Sequence, residues 1–266
     1  MATTKKKPKA SAKPKSTVAA ARQGKSRGGL SSRAVWENVK GIAGAVAIFL
    51  VLRTFLVEAY RIPSGSMIPS LLIGDWLFVN KLVYGPHIPF TSINLPGYAD
   101  PKRYDLAVFV SPTQVDQPED PNPTLVKRIV GLPGDTLHMR GARLFVNGVE
   151  QKLGYGDQSP KGDPDETSFL FDWQKRHAPA NSRFGPAPEQ PTHDNWWPLV
   201  IPDKYYFMMG DNRYQSKDSR YWGIVPRENL RGRPMFVYYS WNAGDSDRPL
   251  PFLTDIRWGR IFHRIR

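Results

Sequence analysis

Residues 124–149 read TLVKRIVGLPGDTLHMRGARLFVNGV, and this stretch decides the fold class of the chain. It contains short runs rich in apolar and β-branched residues, separated by glycine, proline and aspartate, at 124–130, 136–139 and 143–146. Runs of this length between turn formers are typical of β-strands. Asn147-Gly148 lies between the third run and Val149, and this dipeptide favours a two-residue type I′ hairpin turn. The stretch therefore predicts short strands joined by tight turns.

The same pattern continues on both sides of this stretch. Further runs of this kind lie at 76–83, 104–110, 205–209 and 235–241. Residues 150–200 differ, because Gly, Pro, Asp and Lys recur there and apolar periodicity is weak. We therefore predict a mainly β domain formed by 58–149 and 201–266, with 150–200 as an insertion between its two parts.

Composition excludes several classes of protein. Hydrophobic residues make up 40% of the 266 residues and aromatic residues 12%. These fractions are high enough for a packed core, so the chain as a whole is not disordered, but they are too low for a polytopic membrane protein. Because cysteine is absent, disulfides, thiolate zinc sites and a cysteine nucleophile are excluded. The five histidines lack the spacing of a metal site such as H-E-x-x-H, so we expect neither a metal nor another cofactor.

The net charge of +13 is concentrated at the N-terminus. Residues 1–40 hold eleven Lys or Arg and one acidic residue, a net charge of +10, whereas the remaining 226 residues hold 26 basic and 23 acidic residues, a net charge of +3. The basic segment contains too few apolar residues to offset its ordering entropy. We therefore expect a disordered, solvated tail over 1–40 rather than a nucleic-acid-binding domain.

One uninterrupted apolar run follows the tail. Residues 41–52 read GIAGAVAIFLVL, and apolar character resumes at 55–57 after Arg53-Thr54. The run predicts a transmembrane helix over 41–57, with a buried core helix as the alternative. A cleaved signal peptide is disfavoured, since the charged segment is long and no A-x-A-like site follows. The positive-inside rule then predicts a cytoplasmic tail, with the chain after about residue 58 across the membrane.

Three further segments contain residue types that could carry chemistry. The first, PSGSMIPS at 63–70, follows the apolar run. Its prolines and Gly65 exclude regular structure, so the loop can present the hydroxyls of Ser64 and Ser66 beside free backbone amides. Serine is also an ordinary turn former, and a simple turn is the alternative interpretation.

The second segment is VKRIVGLPGD at 126–135. Adjacent side chains on a strand face opposite ways, so Lys127 and Arg128 cannot both face one side. A lysine desolvated among apolar neighbours would lose affinity for its proton and could act as a neutral general base. The alternative is a solvated lysine on an edge strand, where it would discourage aggregation.

The third segment is GDNRYQSKDSRYWG at 210–223. Its dense hydrogen-bonding groups and terminal glycines predict a structured loop. Asp211, Arg213, Asp218 and Arg220 can pair internally, which is equally typical of a salt-bridged surface loop.

Taken together and in this order, the three motifs resemble those of bacterial type I signal peptidase, or leader peptidase. That family comprises membrane-bound serine endopeptidases with a Ser/Lys dyad. The resemblance runs from about residue 55 to the end and rests on PSGSM, on KR followed by GLPGD, and on GDNR followed by DSRYWG. Ser70 stands where the family usually has Thr, and Tyr214-Gln215 replace its usual acidic and amide pair.

The resemblance implies a role for each matching residue. Ser66 would be the nucleophile and Lys127 its general base, as histidine is in the Ser-His-Asp triad. The Ser64 hydroxyl and the Ser66 amide would form the oxyanion hole. Ser216 would orient the Lys127 side chain, with Asp218 and Arg220 as a supporting pair. The expected walls of the substrate pockets are Ile62, Pro63, Ser64, Met67, Leu71 and Val126.

The resemblance also implies a fold, a location and partners. The fold would be an antiparallel, coiled β-sheet domain with a variable cap made by the insertion, after one transmembrane helix. The substrates would be secretory precursors with small residues, typically Ala, at the first and third positions before the cut. The enzyme would lie in the bacterial inner membrane as a single-pass protein. Trp222 and the aromatic residues of 258–262 are candidates for contact with the bilayer surface, with packing in the protein core as the favoured alternative for most of them.

Two other functions remain open from the sequence. One is a related Ser/Lys hydrolase with a different substrate, such as a pilin-processing peptidase or a self-cleaving repressor. The repressor would need a DNA-binding domain, and residues 1–40 show no helix-turn-helix pattern. The other is a non-catalytic, membrane-tethered β-module, which predicts that Ser66 and Lys127 are dispensable.

Overall fold

The computed structural model describes residues 32–89, 91, 93–151, 168–177 and 190–265. The chain divides into two compact units, 1–45 and 46–266. Most of the tail that was expected to be disordered, residues 1–31, lies outside the described residues, as does much of the predicted insertion. Residues 32–40 of that tail are helical.

An apolar helix precedes the β domain. α1 runs over Ser32–Val51 and continues as one π-helical turn over Leu52–Leu56. Residues 36–56 are long and apolar enough to cross a membrane, and residues 36–53 are all exposed. That exposure argues against the alternative of a buried core helix. The helix ends at Leu56, one residue before the predicted end, because Val57 begins the first strand.

The described residues form eleven strands and two further short α-helices. The strands are β1 Val57–Arg61, β2 Asp75–Asn80, β3 Leu106–Val110, β4 Thr124–Gly131, β5 Thr136–Arg140, β6 Arg143–Val146, β7 Val149–Glu150, β8 Trp196–Val200, β9 Tyr205–Met209, β10 Val225–Pro226 and β11 Leu230–Ser240. The helices are α2 Ser219–Trp222 and α3 Pro251–Thr254. Three 3-10 segments in the described residues lie at Phe169–His177, Arg227–Asn229 and Trp258–Arg260.

Seven strands form the larger sheet, in the order β1-β2-β11-β3-β4-β9-β10, and every pair in it is antiparallel. β11, the last strand in the chain, lies between β2 and β3 and shifts register at several points along its length. Such bulges bend a long strand and let it pair with different neighbours. The predicted mainly β, antiparallel fold after an apolar helix is confirmed.

The remaining four strands form a second antiparallel sheet, in the order β7-β6-β5-β8. Its β6–β7 hairpin turns at Asn147 and Gly148, whose φ angles of 53° and 84° are those of the predicted type I′ turn. β8 pairs with β5, so 196–200 belong to a sheet although composition grouped them with the insertion.

Three apolar clusters fill the interior of the part of the chain that the structure describes. One packs Leu137 and Trp196 of the smaller sheet against Phe207 of the larger sheet, and another includes Phe109 and Ile129 of the larger sheet. The third consists of Ile62, Met67, Leu71, Leu77, Val79, Leu106, Val108, Val237 and Ile265. This third cluster underlies the loop that carries Ser66, so burial of the core also fixes that loop.

Candidate active site

The loop that joins β1 to β2 presents Ser66. Hydrogen bonds close its two ends, since Ile62 N donates to Asp75 O at 2.8 Å and Gly74 N donates to Ile62 O at 3.0 Å. Met67, the next residue after Ser66, is 1% exposed. Burying a side chain of this size stabilises the fold by about 1.5–3 kcal/mol. The buried Met67 side chain therefore anchors the loop to the core, while Ser66 stays partly exposed.

A buried carboxylate also holds this loop. Asp75 is fully buried and accepts hydrogen bonds from Leu72 N at 2.8 Å and from the Ser240 hydroxyl at 2.7 Å. Arg260 pairs with the same carboxylate at 2.6 Å and also donates to Ser70 O at 3.0 Å. Asp75 thus ties the Ser66 loop to β11 and to the C-terminal segment.

Lys127 of β4 points at Ser66. Its Nζ lies 2.6 Å from Ser66 Oγ and 3.1 Å from Ser216 Oγ. The residue is 3% exposed, and this burial lowers the pKa of the ammonium from 10.5 to about 8. About a tenth of Lys127 is therefore a neutral amine at pH 7, and the neutral fraction rises steeply above that pH, in hydrogen-bonding range of a hydroxyl.

Arg128 faces the other side of β4 and has buried partners of its own. Its guanidinium makes two parallel contacts of 2.7 Å with the Asp211 carboxylate, and both side chains are buried. It also donates to Tyr104 O at 2.8 Å and to the Ser70 hydroxyl at 3.1 Å. Lys127 and Arg128 therefore point to opposite sides of β4, as predicted from strand alternation, and each side chain is buried with its own set of partners.

The loop after β9 supports the lysine. Ser216 donates from Oγ to Asp218 at 2.8 Å, and Asp218 in turn accepts two 2.8 Å bonds from Arg220. Burial alone would raise the pKa of the Asp218 carboxyl, but the Arg220 guanidinium outweighs that effect and holds the pKa at about 2. Ser216 can donate only one proton, so its oxygen lone pairs remain to accept from Lys127.

The same loop contacts the Ser66 loop directly, which sequence reasoning missed. Asn212 N donates to Ser66 O at 3.1 Å, and its side-chain amide donates to Gly65 O at 3.2 Å. A Cβ atom at Gly210 would lie 2.1 Å from Ser216 Oγ and 2.6 Å from Ser66 O. Only glycine fits at this contact, so the GDN of the third motif has a packing role as well as a turn role.

A groove of about 360 Å³ opens beside Ser66 and Lys127. Five of the six residues expected to form its walls do line it, namely Ile62, Pro63, Ser64, Met67 and Val126. Leu71, also expected on a wall, is fully buried within the third cluster. Gln114, Gln117, Lys217 and Trp222 line the groove as well, and none of these four was predicted as a wall residue.

Two strand edges border the groove. β1 is the first strand of its sheet. Residues 124–127 of β4 pair with β3 on one side, whereas pairing of β4 with β9 begins only at Arg128. An extended peptide can therefore find backbone partners on both sides of the groove.

Comparison with known proteins agrees with this geometry. A family model described as signal peptidase, peptidase S26, matches residues 35–241, which include all three motifs. The chain belongs to the signal peptidase family. It is a serine endopeptidase of that family, and its activity is the removal of signal peptides.

Several signal peptidases are similar over most of their length. Signal peptidase I of Pseudomonas fluorescens is 39% identical over 221 residues, which cover 77% of this chain and 72% of that protein. Signal peptidase I of Pseudomonas aeruginosa is also 39% identical, over 225 residues with the same coverage. Signal peptidase I of Aquifex aeolicus is 32% identical, covering 72% of this chain and 79% of that protein.

Proposed function

We propose that this signal peptidase cleaves its substrates with Ser66 as the nucleophile and Lys127 as the general base. The observation that carries the proposal is the 2.6 Å separation of Lys127 Nζ and Ser66 Oγ at a buried lysine. A base must lie within hydrogen-bond reach of the proton that it takes and must be able to lose its own proton near the working pH. Both conditions hold for Lys127.

The reaction proceeds in two acyl-transfer steps. Neutral Lys127 takes the Ser66 proton as Oγ attacks the scissile carbonyl, and the resulting ammonium then gives that proton to the leaving amine. Lys127, neutral again, takes a proton from water as the water attacks the acyl-enzyme, and returns that proton to Ser66 Oγ. The Ser64 hydroxyl and the Ser66 amide stabilise the oxyanion in both steps.

Three residues act on the dyad without touching the substrate. Ser216 accepts from Lys127 and fixes the direction of its Nζ, while Asp218 fixes Ser216. Arg220 keeps Asp218 ionised and paired in a fully buried position. Without Arg220, an unpaired buried carboxylate would remain beside the base, at a cost of several kcal/mol.

The precursor binds in the groove as an extended strand. The wall residues Ile62, Met67 and Val126 are apolar and largely buried, and small side chains such as Ala would fit between them at the first and third positions before the cut. Backbone hydrogen bonds to β1 and to 124–127 supply affinity that does not depend on the remaining sequence.

The domain arrangement follows from the charge and the apolar helix. In this proposal the basic N-terminal segment is cytoplasmic, and the apolar helix that ends at Leu56 crosses the inner membrane once. The β domain from Val57 onward is the catalytic domain on the outer side, and β8 at Trp196–Val200 belongs to it, so only the part of 150–200 before β8 remains as the cap. The +10 charge before the apolar run supports this orientation. Trp258 and Phe262, which are 73% and 76% exposed, suit contact with the bilayer surface, whereas Trp222 is partly buried.

A cleavage assay tests the proposal. Detergent-solubilised protein is mixed with a secretory precursor that carries an A-x-A site, with and without the Ser66→Ala substitution. We expect cleavage after the second Ala by the unmodified chain, loss of cleavage in the variant, and no inhibition by chelators or thiol reagents. Full activity of the variant would exclude Ser66 as the nucleophile, and cleavage only at other sites would favour a related processing peptidase.

A further inference from the structure

A second cavity lies beside β11 and the C-terminal segment of the chain. It has a volume of about 580 Å³, and β2, β11 and residues 262–265 contribute to its lining. No residue of this lining also lines the groove beside Ser66. The dyad mechanism therefore makes no use of this space.

Strand pairing places the cavity close to the end of the apolar helix. The apolar stretch 36–56 has 21 residues, a length of about 32 Å as a helix, which matches the hydrocarbon core of a bilayer. Val57, the first residue after the helix, pairs with Asn80 of β2, and Asn80 pairs with Arg233 of β11. Both Asn80 and Arg233 line the cavity.

This row of paired residues limits how far the cavity can lie from the bilayer. Neighbouring strands are about 5 Å apart, so the backbone of Arg233 lies within about 10 Å of Val57. Lipid headgroups extend roughly 5–8 Å beyond the hydrocarbon on each side. The long side chain of Arg233 can therefore reach the headgroup layer whichever way the sheet is tilted.

The lining of the cavity is cationic. Among the described residues, two arginines and no acidic residue line it, Arg233 and Arg264. Arg233 has a side chain that is 46% exposed and contacts Asp105 at 3.1 Å, whereas Arg264 is exposed and has no ion-pair partner within the described residues. One positive charge is thus left unbalanced, and guanidinium groups match the oxygens of a phosphate.

A tyrosine adds an uncharged donor to the same lining. Tyr98 is 70% exposed, and its hydroxyl oxygen accepts a hydrogen bond from Asn80 Nδ2 at 3.1 Å. A hydroxyl that accepts through its oxygen still has its own proton to donate. Tyr98 can therefore donate to an anion that the two arginines attract.

An exposed phenylalanine gives the cavity an apolar side. Phe262 is 76% exposed, and its φ angle of 62° lies in the left-handed region, where a bulky side chain is rare. Its backbone N–H donates to Val237 O at 2.7 Å, which holds the residue in this conformation. Strained backbone at an exposed side chain indicates a role other than packing. An aromatic ring beside two cations suits a lipid better than a free anion.

We propose that this cavity binds an anionic phospholipid of the leaflet that the β domain faces. Arg233 and Arg264 hold its phosphate, Tyr98 donates to a phosphate oxygen, and Phe262 lies against the upper part of the acyl chains. This inference rests on the proposed membrane crossing and is independent of the dyad.

Native mass spectrometry of the full chain, released from detergent micelles, measures the bound lipid. The micelles contain equal amounts of phosphatidylglycerol and phosphatidylcholine with the same acyl chains. Because the basic N-terminal segment also attracts anionic lipid, the quantity of interest is the change between variants. Arg264→Gln should lower the retention of phosphatidylglycerol about fivefold, the usual effect of one cation near an anionic bilayer surface, and that of phosphatidylcholine by less.

Two further variants locate the effect. Arg143→Gln removes the same charge from the smaller sheet, at a side chain that is 70% exposed and outside the cavity lining, and should leave retention unchanged. Phe262→Asn should lower the retention of both lipids without lowering the thermal midpoint, since asparagine accepts the left-handed conformation. Because this second variant removes no charge and no ion pair, it tests the site even if Arg264→Gln does not fold.

The outcomes separate the lipid site from its alternatives. Unchanged retention in Arg264→Gln and Phe262→Asn, or an equal loss in Arg143→Gln, would overturn the site. Displacement of phosphatidylglycerol from the unmodified chain by inorganic phosphate would indicate a free-anion site and overturn the lipid assignment. Extraction of the chain from vesicles by alkaline carbonate would overturn the membrane crossing, and this inference with it.

Discussion

Lys127 determines how the cleavage rate should depend on pH. Burial holds its folded-state pKa at about 8, and only the neutral amine can take a proton. The rate should therefore rise with pH through about 8 and level off above it. Lys127→Arg should lower kcat by roughly 10²–10⁴, since arginine stays protonated and the general base is lost.

Arg128→Lys is the matched control in that measurement. It alters a neighbouring buried cation whose partners are Asp211, Tyr104 and Ser70 rather than the dyad. We expect lower stability but an unchanged midpoint of the pH-rate profile. Near-normal turnover by Lys127→Arg would contradict the assignment of the base.

Gly210 is the second residue at which a single change should have a large effect. Its substitution by Ala would push a methyl group into Ser216 Oγ and Ser66 O, the two neighbours that a Cβ would meet at 2.1 and 2.6 Å. We expect a loss of kcat together with a destabilisation of about 1–3 kcal/mol, typical of overpacking. Gly244→Ala, where a Cβ meets nothing within 4 Å, should leave both the rate and the thermal midpoint unchanged; comparable effects in the two variants would refute the steric argument.

The identities of the site residues were predictable, but most of their contacts were not. Ser66, Lys127, Ser216, Asp218 and Arg220 stand in motifs that resemble a known family, so their roles could be proposed from the sequence. The bond from Asn212 to Gly65 spans 147 residues, and the bond from Ser240 to Asp75 spans 165. No local sequence pattern predicts contacts between residues so far apart in the chain. These contacts follow from the pairing of β11 and from the position of the loop after β9.

At the scale of elements, the Ser66 loop depends on the carboxylate of Asp75. Asp75→Asn should leave Arg260 without its buried counter-ion and destabilise the protein by up to about 3–5 kcal/mol, the usual cost of breaking a buried ion pair. The substitution should also lower kcat, because an amide has one acceptor oxygen where the carboxylate has two, so the loop loses either the bond from Leu72 N or the bond from Ser240. Denaturant unfolding and the cleavage assay measure the two effects.

An exposed ion pair provides the comparison for that prediction. Asp100 pairs with Arg227 at 3.3 Å, and the Asp100 side chain is 91% exposed. Asp100→Asn should therefore cost no more than about 1 kcal/mol and leave kcat unchanged. If the two variants lost equal stability, burial would not be the reason for the effect at Asp75.

Strands with a clear pattern were predicted better than strands that depend on their surroundings. The runs at 143–146 and 205–209 match β6 and β9. β1 was missed because its five residues, VEAYR, include two charges and no apolar run. β11 begins five residues before its predicted start. A bulge next to Pro234 lets the strand include this proline. Glycine is needed at position 232 of the strand, because a Cβ there would meet Asn80 O at 2.5 Å.

At the scale of the whole molecule, the basic tail and the apolar helix predict an orientation. Protease added outside spheroplasts should digest the domain after residue 58 and leave residues 1–40 protected, because the net charge of +10 favours the cytoplasmic side. Immunoblotting with one epitope tag at each terminus measures both ends in one experiment. Protection of the C-terminal tag with loss of the N-terminal one would reverse the proposed topology.

The position of β11 has a consequence for the synthesis of the enzyme. In the larger sheet, β11 lies between the strand that leads out of the Ser66 loop and the strand pair that carries Lys127, and it follows both in the chain. In a nascent chain that ends before β11, the nucleophile and the base lie on two hairpins that no strand joins. We therefore expect cleavage activity to appear only after synthesis has passed Ser240, the last residue of β11.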